Sequence, residues 1–190
     1  PLTAIAFFML TGELMTSATI TDRLVALSRA LIGRIRGGLA QVNVLVSMFF
    51  AGMNGSVVAD TATVGALVLP AMKKAGYPAA FSAAVTGVSS TIGGIIPPSI
   101  MMIVLANATE ISIASLFAAG IVPGILIGVV IMVINHYFAV KHNFERSDEP
   151  FSVRRAGKEL YRSSFALLIP LVLVGSVMGG VASVVEAGAI

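Results

Sequence analysis

The residues of this sequence best placed to do chemistry are oxygen donors in an apolar setting. Asp60 is the only acid in the middle of a hydrophobic segment, and Ser56 and Thr61 stand beside it; Ser89, Ser90, Thr91 and Ser99 flank a second short stretch, "IGGIIPP". An acid inside a membrane costs about 3 kcal/mol on insertion scales and points to function by default. Asp60 follows Ser56 by one helical turn, so it could brace a turn there by accepting backbone N–H groups, attract a cation or couple to a proton. Glu13 stands near the end of an apolar segment and can reach headgroups, Asn43 can hydrogen-bond a neighbouring helix, and His136 has an interfacial place. No Ser/His/Asp set, metal-ligand His pair or phosphate-binding glycine loop is legible, so an enzyme reading has no support. With no cysteine, a disulfide scaffold and a thiolate metal site are excluded.

The elements that must position these oxygens are membrane helices. Of 190 residues, 57% are hydrophobic and 11% charged, against about 25% charged in a soluble domain. The net charge of +3 gathers at loops, which fits membrane topology and argues against a nucleic-acid partner. The sequence begins and stops inside apolar stretches and reads as an internal piece of a longer protein. Residues 1–20 make one span. Residues 21–36 place Leu24, Leu27, Leu31 and Ile35 on one helical face and Asp22, Arg29 and Arg36 on the other, predicting an amphipathic helix on the membrane surface rather than a soluble linker helix. Residues 113–140 form a long apolar segment. A basic loop at 141–162 sets Lys141, Arg146, Arg154, Arg155, Lys158 and Arg162 against four acids, a span follows at 163–181, and 182–190 opens a further element.

Charge then sets the topology. Cytoplasmic loops are rich in Lys and Arg, so the clusters at 23–36, 73–74 and 141–162 belong on one side and the acidic turn at 108–112 on the other. Between 36 and 73 the chain must cross an even number of times. Two spans need about 40 residues and a turn, and roughly 36 are present. A re-entrant helical hairpin over 37–72, its tip at "GMNGS" (52–56), satisfies both demands; one long tilted span with Lys73 and Lys74 outside is the alternative.

The segment 79–109 carries no charge, yet holds Gly93-Gly94 and Pro97-Pro98. Proline removes a backbone donor and clashes with the preceding turn, and glycine loosens a helix. A broken membrane helix is expected between Ser89 and Ser99, tolerated only where it faces protein or a polar cavity. Discontinuous helices expose carbonyls and half-helix ends at bilayer depth; carbonyl and hydroxyl oxygens suit Na⁺, and helix N-termini suit anions. A single Ser or Thr more often bonds its own helix backbone. The run Ser89-Ser90-Thr91 directly before a Gly/Pro break is a stronger signal than one such residue.

Three blocks, "FFMLTGELM", "RGGLAQVNVLVSMFFAGMNGSVVADTATVGALVLPAMKKAGY" and "SSTIGGIIPPSIMM", resemble the large membrane subunit of TRAP transporters, the DctM family, in order and spacing. The likeness covers nearly the whole chain, as roughly the first half of that subunit, and the closing "VVEAGAI" is similar to the run that opens the second half. It implies an all-α integral membrane protein, half of an inverted-repeat elevator-type transporter. Residues 1–36 would be scaffold (first span and arm helix), 37–109 transport-domain parts (hairpin 37–72, broken helix 79–109) and 110–181 two further spans. It implies Na⁺-coupled import of small carboxylates of the C4-dicarboxylate or sialic-acid type across the bacterial inner membrane. The implied partners are a small membrane subunit of the DctQ type, a periplasmic substrate-binding protein of the DctP type and membrane lipid; no cofactor is implied beyond Na⁺ as coupling ion.

Carried onto this chain, the likeness puts ion and substrate binding at Asn54, Gly55, Ser56, Ser89, Ser90, Thr91, Gly93, Pro97, Pro98 and Ser99. Na⁺ would lie at Ser89, Ser90, Thr91 and Asn54, with Asp60 and Thr61 in support. Two departures stand out: Asn54 replaces a serine common in the family's tip, and Gly94 replaces a proline common in the break. An amide carbonyl still offers an oxygen, so the first change keeps the ion site. A non-transporting scaffold or assembly subunit is the alternative function. A channel would need a symmetric ring of charged or carbonyl groups, which this stretch lacks.

Overall fold

The computed structural model describes residues 2–17, 20–33, 35–144 and 152–189; positions 145–151 of the expected basic loop lie outside them. Nine α-helices are described: α1 (Leu2–Ser17), α2 (Ile20–Ile32), α3 (Gly38–Asn54), α4 (Val57–Lys74), α5 (Ala79–Ser90), α6 (Ile100–Thr109), α7 (Ile113–Lys141), α8 (Val153–Met178) and α9 (Val184–Ala189). The chain is all-α, with no strand among the described residues.

The centre of the molecule is α3, buried almost all round: Val42, Val44, Val46 and Phe50 are fully enclosed, together with Asn43 and Ser47. A helix buried on every side is a core helix, and α2, α4, α5, α7 and α1 pack about it. The return of α4 along α3 is set by its ends. Gly55 at φ 58° and ψ 17° ends α3 in the left-handed region, where glycine carries no penalty, and Ser56 caps α4 by accepting from Ala59 N. Far from this turn, Asn43 near the start of α3 meets Met72 near the end of α4. The two arms are therefore an antiparallel hairpin turning at 54–56, inside the expected tip.

The break falls where the Gly and Pro residues predict it. Helix α5 stops at Ser90, a 3₁₀ turn covers Thr91–Gly94, and α6 begins at Ile100 behind Ser99, whose Oγ accepts from Met102 N and donates to Gly94 O at 2.8 Å. Helix α7 admits this irregular backbone with a glycine stripe: Gly120 lies against Ile95 O, Gly124 against Ile96, and Gly128 against the Met48 sulfur. Small residues four apart let helices approach closely. The same face continues through Phe117, Ile131, Asn135 and Ala139, while Val122, Leu126, Val129, Val133 and Tyr137 are exposed. With 29 residues at 1.5 Å each, α7 exceeds a hydrocarbon core of about 30 Å. It and Ala156–Met178 are the two described helices long and apolar enough to cross a membrane.

Two sequence expectations change in detail. The apolar face of α2 is covered by protein: Leu24 and Leu27 are fully buried against α3 and α8, while Arg29 and Arg36 stay exposed. Leu31, on the last turn of α2, and Ile35, beyond the helix end at Ile32, are each 41% exposed. The expected loop 141–162 is helical from Val153, so Arg154, Lys158 and Arg162 stand on α8. Helix formation there needs no apolar content, because Lys, Glu, Leu and Arg favour helix in any setting.

The basic clusters meet at one end of the molecule. Arg36 donates to Asn143 Oδ1, Tyr77 packs on Phe144 with ring centroids 4.8 Å apart, and Phe81 joins them. Helix α9 opens with a reciprocal cap in which Glu186 Oε2 accepts from Ser183 N and Ser183 Oγ accepts from Glu186 N.

Candidate functional site

The hairpin tip sits on the break. Ile100 N, the first donor of α6, bonds Gly55 O at 3.2 Å. A Cβ on Gly55 would strike Pro98 O, and one on Gly93 would stand 3.7 Å from the Ser56 carbonyl. Four helix ends therefore converge: the carboxyl ends of α3 and α5, and the amino ends of α4 and α6. Partial negative charge gathers at the first pair and partial positive charge at the second.

Behind the tip, α3, α4 and α5 share a buried polar group. Asn43 Nδ2 donates to Thr86 Oγ1 at 2.7 Å. The Ser89 hydroxyl lies 3.2 Å from Asn43 Oδ1 and 3.1 Å from Thr86 O. Ser47 Oγ donates to Ser89 Oγ at 3.3 Å, and Ser90 Oγ donates to Thr86 O at 2.8 Å. Asn43, Ser47, Ser89 and Ser90 are all fully buried.

Asp60 closes this group from α4. It is fully buried; Ser90 and Ser47 are the hydroxyls that face it, yet both carboxylate oxygens stand outside hydrogen-bonding geometry with any group. Bracing of the tip falls to Ser56 and Asn54 instead: Ser56 Oγ accepts from Ala59 N and Asn54 Oδ1 from Ser56 N at 3.0 Å. A buried carboxylate without partners costs several kcal/mol, so these two oxygens are the strongest unfilled acceptors described. The Ser47 and Ser90 hydroxyls lie within hydrogen-bond distance of Ser89 Oγ and Thr86 O as well as facing Asp60, and each keeps lone pairs that a cation beside the carboxylate would use. The donor set is hard oxygen throughout and fits a small alkali cation better than a soft metal.

The site residues expected from the sequence divide into three places. Gly55, Ser56, Gly93, Pro97, Pro98 and Ser99 form the tip–break contact. Ser89 and Ser90 point into the buried polar group. Asn54 stays at the tip, with its carbonyl turned to Ser56 N and its Cβ against Gly12 of α1. Thr91 and Thr61 are exposed and bond one turn back, to Val88 O and Val57 O, the ordinary use of a hydroxyl in a membrane helix. Ser47 and Thr86 were not singled out by sequence. Their signal was spacing: Ser47 stands four after Asn43, and Thr86 three and four before Ser89 and Ser90, each pair on one face.

The DctM component of the tripartite ATP-independent periplasmic transporters, as a family model, matches residues 1–190. The chain is 38% identical over 187 residues to the sialic acid TRAP transporter permease protein SiaT of Haemophilus influenzae, covering 98% of this chain and 30% of that protein. It is 38% identical over 189 residues to the C4-dicarboxylate TRAP transporter large permease protein DctM of Pseudomonas aeruginosa, covering 100% of this chain and 44% of that one. The 2,3-diketo-L-gulonate TRAP transporter large permease protein YiaN of Escherichia coli is 36% identical, again over 100% of the chain and 44% of its own length. The chain thus spans less than half the length of these relatives.

Proposed function

This chain belongs to the DctM family of tripartite ATP-independent periplasmic transporters, and on that premise we propose that it forms the first hairpin and broken helix of a Na⁺-coupled importer of small carboxylates. The observation that carries this reading is the buried carboxylate of Asp60, faced among the described residues only by the Ser47 and Ser90 hydroxyls and with neither oxygen in a closed hydrogen bond, directly behind the docked tip. An alkali cation held by these oxygens would tie α4 to α3 and α5. Ser90 is the last residue of α5, where that helix's dipole favours positive charge. A carboxylate would instead take the amino ends of α4 and α6, next to Ser56 and Ser99. The relatives' printed substrates, sialic acid, C4-dicarboxylate and 2,3-diketo-L-gulonate, share a carboxylate, which supports that class.

The hairpin is re-entrant in this reading. Its two outer ends lie with the basic end of the molecule, while its tip touches residues 93–100, midway along the single crossing from 79 to 109. The basic end faces the cytoplasm of a bacterial inner membrane. Substrate arrives from a periplasmic binding protein, a small permease subunit braces the scaffold, and the tip and break move as one body in an elevator step.

The test is uptake by the complete transporter, with its binding protein, in proteoliposomes. A carboxylate should accumulate with an inward Na⁺ gradient and not with an equal K⁺ gradient. Equal uptake under both gradients contradicts Na⁺ coupling, and no uptake of any carboxylate with either favours a scaffold subunit.

A further inference from the structure

Away from the tip, a charged groove runs between α2 and the first third of α8. Three adjoining hollows of about 380, 470 and 560 Å³ share Asp22 or Glu159 as common walls. Arg23, Arg29, Arg154, Lys158 and Arg162 line them against only those two acids. Glu159 is already engaged, since Arg162 Nη1 lies 3.4 Å from its Oε1. Among the described residues, the side chains of Arg29, Arg154 and Lys158 have no ion pair. The floor is apolar: Val25, Ala26 and Leu67. The walls are fixed to each other, with Arg23 Nη1 donating to Arg162 O and Ser163 Oγ donating to Arg23 O, both at 3.3 Å. The groove is therefore held in shape without a ligand.

We propose that this groove seats the headgroup of an anionic phospholipid, whose glycerol end rests on Leu67 of α4. Charge complementarity selects the anion: five cations face two acids, one of them paired. The surface below the groove selects a lipid over free phosphate. Arg154, Lys158 and Arg162 stand four apart on one face of α8, and Phe165 follows Lys158 by seven on that same face. Phe165 is 71% exposed and Leu168 53%, so acyl chains can continue down the helix from a phosphate held at Lys158 and Arg162. Basic pockets between membrane helices at the cytoplasmic end bind anionic headgroups in this manner. Leu67 gives the site a consequence. It belongs to the hairpin arm α4, whereas the other walls belong to α2 and α8, so a seated lipid spans the hairpin and the helices beside it. The inference needs the membrane placement of the chain and not its coupling ion or substrate.

The experiment is lipid retention by the complete transporter, purified from vesicles of phosphatidylcholine doped with phosphatidylglycerol and read by native mass spectrometry. Wild type should retain phosphatidylglycerol in preference to phosphatidylcholine. Arg29→Gln combined with Lys158→Gln should weaken that retention by about thirtyfold, the effect of two basic groups at a membrane surface. Arg29→Lys with Lys158→Arg, which keeps both charges, should retain the lipid and so separates loss of the site from loss of the fold. Equal retention of the two lipids by wild type, or unchanged preference in the glutamine variant, overturns the proposal. So does full displacement of the lipid by inorganic phosphate, which would make the groove a site for the free anion. None of these readouts uses uptake, so a failure here is distinct from a failure of the transport reading.

Discussion

Gly55 is the residue on which the geometry of the tip depends most. Its φ of 58° excludes an unstrained β-carbon, and that carbon would also meet Pro98 O. Gly55→Ala should therefore lower the thermal stability of the complete transporter by the equivalent of about 1–3 kcal/mol and lose most uptake, because the tip must lift from the break. Asn43→Ala removes both a donor to Thr86 and an acceptor for Ser89. A loss of about 1–2 kcal/mol is expected in a membrane interior, against about 0.5 kcal/mol or less for exposed Thr61→Ala. Melting curves of the purified variants check both. At this scale the sequence was legible where a residue type has few uses. Gly55, the Gly/Pro run and the lone acid Asp60 announced themselves. Hydroxyls did not: Ser90 turns inward and Thr91 outward, although they are neighbours, because successive helix positions face about 100° apart. Asp60 was legible as unusual but not as unbraced, since Ser56 and Asn54 had to be seen taking the capping bonds first.

At the scale of elements, the break between α5 and α6 exists because Gly93, Gly94, Pro97 and Pro98 forbid a continuous helix, and it is sheltered because α7 presents glycine to it. Gly124→Leu should push α7 off Ile96 and cost more than the same change at Gly87, beside which a Cβ meets open space; the expected gap is about 1–3 kcal/mol. Equal melting temperatures would mean the stripe does not carry the contact. The hairpin and the break could be read from sequence because they are made by local residues. The true start of α8 at Val153 could not, since charge marks where a helix leaves the bilayer and not where it begins. The face that α2 buries was legible, but its partner was not: Leu24 and Leu27 fit lipid or protein equally well by pattern alone.

The whole molecule is polarised. Arg36, Tyr77 and Phe144 gather at one end, and the turn at 110–112 joins α6 to α7 at the other. Cysteines replacing exposed Arg36 and Lys74 should both label from the cytoplasm, and one replacing Ile111 from the periplasm; labelling of 36 and 74 from opposite sides would remove the re-entrant hairpin. Because a cation would tie α4 to α3 and α5 while a carboxylate would rest on the amino ends of α4 and α6, both ligands would favour the docked tip, and each should raise the other's affinity by the same factor. The central claim, a cation site of Asp60, Ser47 and Ser90 behind the tip, is tested most directly by the melting temperature of the purified complete transporter as Na⁺ replaces K⁺ at constant ionic strength. Binding to the folded state alone raises stability with ligand concentration. Na⁺ should raise the melting temperature of wild type, and in Ser90→Ala and Asp60→Asn the midpoint of that rise should move to about tenfold higher Na⁺. The same Na⁺ titration in wild type and in both variants would contradict the site.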